Sequence, residues 1–491
     1  MEALGLAPGQ LESWQRNPKL ATSVLGGSKP ELAVQLLGCM SSARVEVNKF
    51  HCGAVIGACS KGSFWQHAMG ILAQMPEMDV APNEVCSNSV ITACSKGGQW
   101  QLALEVLRQM PRMRVAPDEI SYNAAITACE KSFQWVQAVT LLSLMQARNI
   151  PASEVSFSAA VSACEKGGQW QLALSLLRDM PGLGLKPNGI TYNAAISACE
   201  KGGQWLLALG LLKEMPEQVL RPDQISYNAA ISACEKGGAW EAALDMLLSK
   251  MPTKRLVANR ISYNAAISAC GKGGQLQMAL NLLSDMQDAR VAPNEISCSA
   301  AIRACEGGCQ WQLALSLLSE MPAKRLSPNA ISVNSAITVC EKSGQWQLAL
   351  ALVRKMPELS LTADKISYNS AICAFEKGGQ WQFALALLEE MELCRVVPNE
   401  ISFNAAISVC GSVRWQLALG LLATMVEKHI QPSEVSCSAV LAACEHGGQW
   451  QLAINLLALM PHMTVAPNEI NFNVAISACE KSSQWQYATE A

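Results

Sequence analysis

GITYNAAISACEKGGQWLLALGLLKEMPEQVLRPD, residues 189–223, decides how the whole chain is read. Shifted by 35 residues, its YNAAI, ACEKGGQW and Met-Pro elements return almost letter for letter, from about residue 49 to Ala491. A period of that length implies stacked supersecondary units with one continuous core. Position 1 of each unit follows a Pro-Asn or Pro-Asp pair, and position 35 is the Asn, Asp or Ser that closes it. Tyr192, Ala195, Ile196 and Cys199 fall at i, i+3, i+4 and i+7, one face of a first helix, A. Asn188 stands ready to cap it, and Gly202-Gly203 ends it. Gln204 to Met215, rich in Ala and Leu, forms a second helix, B. Pro216 and Pro222 should bound the connecting loop, since neither suits a helix interior. Each unit is therefore a helical hairpin whose stability comes from stacking, because neither helix is stable alone.

Working outward, 491 residues would ordinarily mean three or four globular domains, but no linker or charge run interrupts the period. Half the residues are apolar, and Gly-Gly or Pro breaks every apolar run before the roughly 18 residues of a membrane span. The net charge of −3 does not call for a polyanionic partner. Of the 20 cysteines, those at position 11 (Cys59, Cys94, Cys129, Cys164, Cys199, Cys234, Cys270, Cys305, Cys340, Cys410, Cys444 and Cys479) repeat with the period. No CxxC or His-x-x-x-His partner accompanies them, so no metal site is expected. Equivalent positions of stacked hairpins lie about one helix spacing apart, roughly 10 Å, too far for a disulfide. Position 11 is read as core, in a reducing compartment. The Trp at position 17, from Trp65 to Trp485, is read as packing between neighbouring hairpins rather than as a stacking platform.

In chain order, residues 1–13 form an N-terminal segment with neither the Arg-rich composition of a transit peptide nor the apolar stretch of a signal peptide. Residues 14–48 read as a worn repeat, with Pro18 inside the expected helix A and Pro30 in place of the Trp. Twelve repeats run over 49–468, and 469–491 is a partial terminal repeat. The repeat Gln224 to Asn259 has 36 residues, and Glu400 to Ser433 has 34. The last unit stops inside helix B without a polar closing helix, so its end is expected to fray or to continue in a longer chain.

In such an array, function shows as polar residues that recur where structure does not need them. Position 5 is Asn in most units and Ser in three, although Asn is poor in a helix interior. It either bridges adjacent hairpins or reads a ligand, and its alternation with Ser favours reading. Position 35 is drawn from the N-cap set, which explains its class but not its alternation. Position 13 carries one Lys per unit, a cationic line that serves phosphate or simple solvation. The five histidines are scattered, none followed by x-Glu, and no catalytic constellation or cofactor motif is present; the chain is read as a non-enzyme.

The 35-residue hairpin, the YNAAI helix, the AL-LL-EM helix and the closing Pro-Asn/Asp together resemble the pentatricopeptide repeat family over about nine-tenths of the chain. The resemblance implies an all-α, right-handed superhelical solenoid that binds single-stranded RNA, one base per repeat. In that family positions 5 and 35 read the base, the aliphatic position 2 sandwiches it, and the position 13 Lys lies near phosphate. The resemblance then implies U for Asn88 with Asp118, Asn193 with Asp223, and Asn334 with Asp364. It implies C for Asn123 with Ser153 and Asn404 with Ser433, and A for Ser158 with Asn188, Ser299 with Asn329, and Ser438 with Asn468. Asn228 with Asn259, Asn264 with Asn294, and Asn369 with Asn399 imply a pyrimidine. The implied phosphate line is Lys61, Lys96, Lys131, Lys166, Lys201, Lys236, Lys272, Lys342 and Lys377, with Lys481 beyond it. The expected target is 5′-(A)UCAUYYAUYCA-3′, bound by a monomer acting in RNA processing, stability, editing or translation in a mitochondrion or chloroplast. A protein-binding scaffold of the helical-repeat type is the alternative, favoured by the slightly acidic balance.

Overall fold

The computed structural model describes residues 18–42, 47–411, 413–463 and 465–481. The segment 1–13, parts of the worn repeat, Ser412, Trp485 and the end of the last unit lie outside the described residues. All regular elements among the described residues are helical. None is long and apolar enough to cross a membrane. Two compact units, Met1–Gly237 and Gly238–Ala491, are each built from hairpins stacked in sequence order.

The first unit contains the defining hairpin, with helix A at Gly189–Lys201 and helix B at Trp205–Glu217. Asn188 Oδ1 accepts from the Thr191 backbone N–H at 3.0 Å, so the expected cap is present. Tyr192, Ala195, Ile196 and Cys199 are buried together, with Ala208, Leu211, Leu212 and Met215 of helix B completing the layer. Each fully buried Leu or Ile contributes about 1.5–3 kcal/mol by leaving water. Within each unit, helix A of one hairpin packs on helix A of the next, and helix B lies against both.

Three expectations change. Pro216 lies inside helix B, in its last turn, and so does Pro181 in Trp170–Gly182. The helix outlasts the Met-Pro pair by one residue before it stops. Pro18 and Pro30, out of register in the sequence, each begin a helix: Pro18–Gly27 and Pro30–Ser42. The fixed φ of proline suits that first position.

The turn explains two repeated letters at once. A Cβ on Gly202 would stand 2.3 Å from Cδ1 of Trp170 in the preceding hairpin, so position 14 is Gly because the indole occupies that space. Gly203 has open space but φ +66°, the left-handed conformation that glycine adopts without strain. Trp at position 17 is thus a packing residue between neighbouring hairpins, as expected.

In the second unit, helix A at Arg260–Lys272 and helix B at Leu276–Asp288 repeat the pattern. The extra residue of the 36-residue repeat is absorbed inside helix B. Trp240–Leu244 is α-helical, Asp245–Lys250 is a π-helical turn, and Met251–Thr253 resumes the α-helix. A π turn holds one more residue than an α turn, so Met251 still reaches the core and is fully buried.

Candidate nucleic-acid interface

The first turn of helix A gathers four fixed positions: 35 of the preceding unit as cap, then 2, 3 and 5. Position 2 is aliphatic or Phe50 and is exposed in every hairpin, between 55% (Ile331) and 68% (Ile190). An apolar residue left in water at the same place in every unit has no packing explanation. One residue on, position 3 is fully buried and polar: Ser121, Ser156, Thr191, Ser226, Ser262, Ser297, Ser332, Ser367, Ser402 and Ser436.

Position 5 bonds at both ends of its amide. Asn88 Nδ2 donates to Asp118 Oδ1 at 3.1 Å, and Asn88 Oδ1 accepts from Ser121 Oγ at 2.6 Å. Asn193 repeats this with Asp223 at 3.2 Å and Ser226 at 2.5 Å, and Asn334 with Asp364 at 3.1 Å and Ser367 at 2.6 Å. Asn264 and Asn369 use Asn294 and Asn399 in place of Asp, each at 3.3 Å. Asn123 Nδ2 donates to Ser153 Oγ at 3.3 Å, while Asn404 keeps only the Ser436 bond, at 2.6 Å, and a 3.5 Å contact to Glu400. Position 5 therefore does bridge adjacent hairpins, and the bridge brings it beside position 35. Asn228 and Asn259 hold the corresponding positions in the first and second units.

Where position 5 is Ser, the pattern inverts. Ser158 Oγ lies 2.6 Å from Thr191 Oγ1, which itself donates to Asn188 Oδ1 at 2.9 Å, so the oxygen end of the Asn188 amide is the one engaged in the cluster. Ser299 donates back to Glu295 O at 2.7 Å, four residues earlier on its own helix. Asn329 caps Ala330–Lys342 in the same cluster. Ser438 donates toward Asn471 Oδ1 at 2.6 Å, and Asn468 caps the next helix through Asn471 N at 2.8 Å. Burial works against ionisation of Asp118, Asp223 and Asp364. Hydrogen bonds from the following Ser and from the position 5 Asn outweigh it and hold all three carboxyls below their ordinary range.

The position 13 lysines do not stand alone. Lys166 pairs with Glu130 at 3.0 Å, Lys201 with Glu165 at 2.9 Å, and Lys236 with Glu200 at 3.0 Å. Lys342 with Glu306 at 2.5 Å and Lys481 with Glu445 at 2.8 Å continue the series. In each case the partner is the position 12 Glu of the preceding hairpin, not the Glu beside the Lys in sequence. The hydrogen bond from Lys481 holds the Glu445 carboxyl below its usual range, and that to Glu306 raises the Lys342 ammonium. Lys377 donates instead to the Lys342 carbonyl. Lys61, Lys96 and Lys131 lie at the same turn, exposed, as does Lys272.

The element sequence reasoning did not single out is position 3. Its signal was present, a Ser or Thr recurring between an exposed and a buried apolar residue. As the third residue of helix A it looks like half of a capping box, and it is that too: Ser121 Oγ also accepts from the Asp118 N–H at 3.2 Å. Among the described residues no group of three or more His, Cys, Asp or Glu is placed to hold a metal.

Family models match most of the chain: the pentatricopeptide repeat domain over 140–273, 351–413 and 420–482, the PPR repeat family over 82–131 and 258–307, and the PPR repeat over 120–150 and 331–361. No curated protein matches. Among solved structures, the chain is similar to the pentatricopeptide repeat protein PPR10 from maize, with TM-score 0.63 and 19% identity over 96% of this chain and 77% of that one. It also matches PPR10 in complex with an 18-nt psaJ RNA element, with TM-score 0.43 and 22% identity over 99% of this chain and 72% of that one. Yeast Rmd9p in complex with a 16-nt target RNA matches at TM-score 0.35 and 10% identity, over 90% of this chain and 95% of that one.

Proposed function

The chain belongs to the pentatricopeptide repeat family, and from that membership we propose that it binds single-stranded RNA, each hairpin taking one base. The observation that carries the proposal is the exposed aliphatic at position 2 beside a polar pair that is only partly satisfied. An amide has two N–H donors and a carboxylate has two acceptor oxygens. The Asn88–Asp118 bond uses one donor and one oxygen, leaving an N–H and Asp118 Oδ2 for a ligand. That donor and acceptor complement O4 and N3–H of uracil. Asn123 with Ser153 offers a donor and a hydroxyl, matching the acceptor and amino groups of cytosine. At Ser158 with Asn188, the amide N–H groups would face N1 of adenine and the Ser oxygen its amino group. The base itself would lie against neighbouring position 2 side chains such as Ile120 and Val155.

From the family resemblance we place the work in RNA processing, stability, editing or translation within a mitochondrion or chloroplast; RNA cross-linked to the protein in purified organelles tests that placement. The binding experiment is a fluorescence-anisotropy titration of the whole chain with AUCAUCUAUCCA and with an oligomer in which the A, U and C positions are exchanged. The expected result is at least about tenfold weaker binding of the exchanged oligomer, about 1.4 kcal/mol. Equal affinity for both would remove sequence reading, and no binding to either would favour a protein scaffold.

A further inference from the structure

We infer that the buried hydroxyl at position 3 of each hairpin decides which end of the preceding position 5 amide faces a base; the inference rests on the RNA reading above. Seven bonds carry it. Ser121, Ser156, Ser226, Ser297, Ser367, Ser402 and Ser436 each place Oγ 2.5–2.6 Å from Oδ1 of the position 5 Asn in the hairpin before. All seven are fully buried, so water does not compete for the hydroxyl proton. By donating to Oδ1, the hydroxyl turns the amide nitrogen toward position 35 and the remaining N–H outward, so Asn presents a donor.

How much depends on the hydroxyl differs between repeats. Opposite Asp118, Asp223 and Asp364, a carboxylate that only accepts already requires the nitrogen end. Opposite Asn294 and Asn399 the facing Oδ1 belongs to a neutral amide, and the bond from the position 5 nitrogen is longer, at 3.3 Å. There Ser297 does two things: its N–H donates to Asn294 Oδ1 at 3.0 Å, and its one hydroxyl proton goes to the nearer acceptor, Asn264 Oδ1 at 2.6 Å rather than Asn294 Oδ1 at 2.9 Å. Ser402 does the same for Asn369 and Asn399. Without that hydroxyl the position 5 amide at an Asn–Asn repeat is oriented only by that one weak, neutral bond and flips more readily than opposite a carboxylate. It would then present its carbonyl, which accepts from the amino group of adenine. Position 3 is thus a positioning residue, and the reading unit is a triad spanning two hairpins.

The test compares the same deletion at two repeat types in the full chain. Ser297→Ala is titrated with AUCAUCUAUCCA and with the oligomer carrying A at base 7, the base assigned to Asn264 and Asn294. Ser121→Ala is titrated with the same oligomer and with A at base 2, assigned to Asn88 and Asp118. The wild type is expected to prefer U by about tenfold at both. S297A should lose most of that preference while S121A keeps it within about twofold, with weaker binding overall, and Ser297→Thr should restore it. An S297A chain with the wild-type preference, or equal loss in both variants, would overturn the inference and leave RNA reading intact. A wild-type chain that binds none of the oligomers would instead overturn the reading on which it rests. Should S297A fail to fold, S402A with A at base 10 makes the same comparison.

Discussion

A buried thiol at position 11 behaves as a small hydrophobe, and its chemistry follows from that. Burial pushes the thiols of Cys94, Cys129, Cys164, Cys199 and Cys340 up to about 11, so they stay protonated at neutral pH. The thiolate is the reactive form. Only Cys309 and Cys394 are exposed among the described cysteines. Native protein treated with an aromatic disulfide reagent at pH 8 is therefore expected to label those two fast and the position 11 thiols only after denaturation. A fast phase that survives when Cys309, Cys394 and the half-buried Cys39 and Cys373 are all replaced by Ser would show that the position 11 layer is open to solvent. The same scale limits what a sequence discloses. The role of Ser121 is hidden in the sequence because its partner Asn88 lies 33 positions back, and only stacking reveals that the hydroxyl that accepts from the Asp118 N–H also donates to Asn88.

At the scale of the hairpin, the Gly-Gly-Gln-Trp turn ties each unit to the next. Gly202→Ala would place a methyl 2.3 Å from Trp170 Cδ1, an overpacking of about 1–3 kcal/mol. Gly203→Ala meets no atom within 4 Å but must hold φ +66°, at about 1–2 kcal/mol. Urea unfolding should separate the two causes. Trp170→Ala should remove most of the added cost of G202A and none of that of G203A; additive effects at both positions would mean the indole does not set position 14. Helices, caps and the buried face were legible because the chain repeats its own pattern, so chance matches cancel. The π turn at Asp245–Lys250 was not, since an extra residue near a helix end reads equally as a longer loop. Pro18 and Pro30 misled for a related reason: a register carried in from neighbours hides the fact that a proline can open its own helix. The partners of the lysines were illegible too, because a pair 36 residues apart depends on the stacking offset.

Across the whole molecule, the charge balance bears on how any RNA backbone would be held. Five position 13 lysines face a Glu of the preceding hairpin, so a phosphate must compete with a carboxylate already in place. These pairs are partly exposed and are each worth about 0–1 kcal/mol to stability, so they can be removed without unfolding the chain. Their larger effect is on the ligand. On single strands each neutralised phosphate adds about −0.7 to the slope of log K against log salt. If the carboxylates hold these lysines back, replacing Glu130, Glu165, Glu200, Glu306 and Glu445 with Gln should steepen that slope by up to roughly five times 0.7, about 3.5. Affinity near 0.1 M salt should rise for the matched and exchanged oligomers alike, because phosphates carry no sequence information. Replacing Lys166, Lys201, Lys236, Lys342 and Lys481 with Ala should do the reverse, flattening the slope while the ratio between oligomers stays fixed. A slope unchanged in both sets would mean that the lysines serve the ladder between hairpins and that the backbone is held elsewhere. A change in the ratio would mean that the ladder also sets how neighbouring reading triads align.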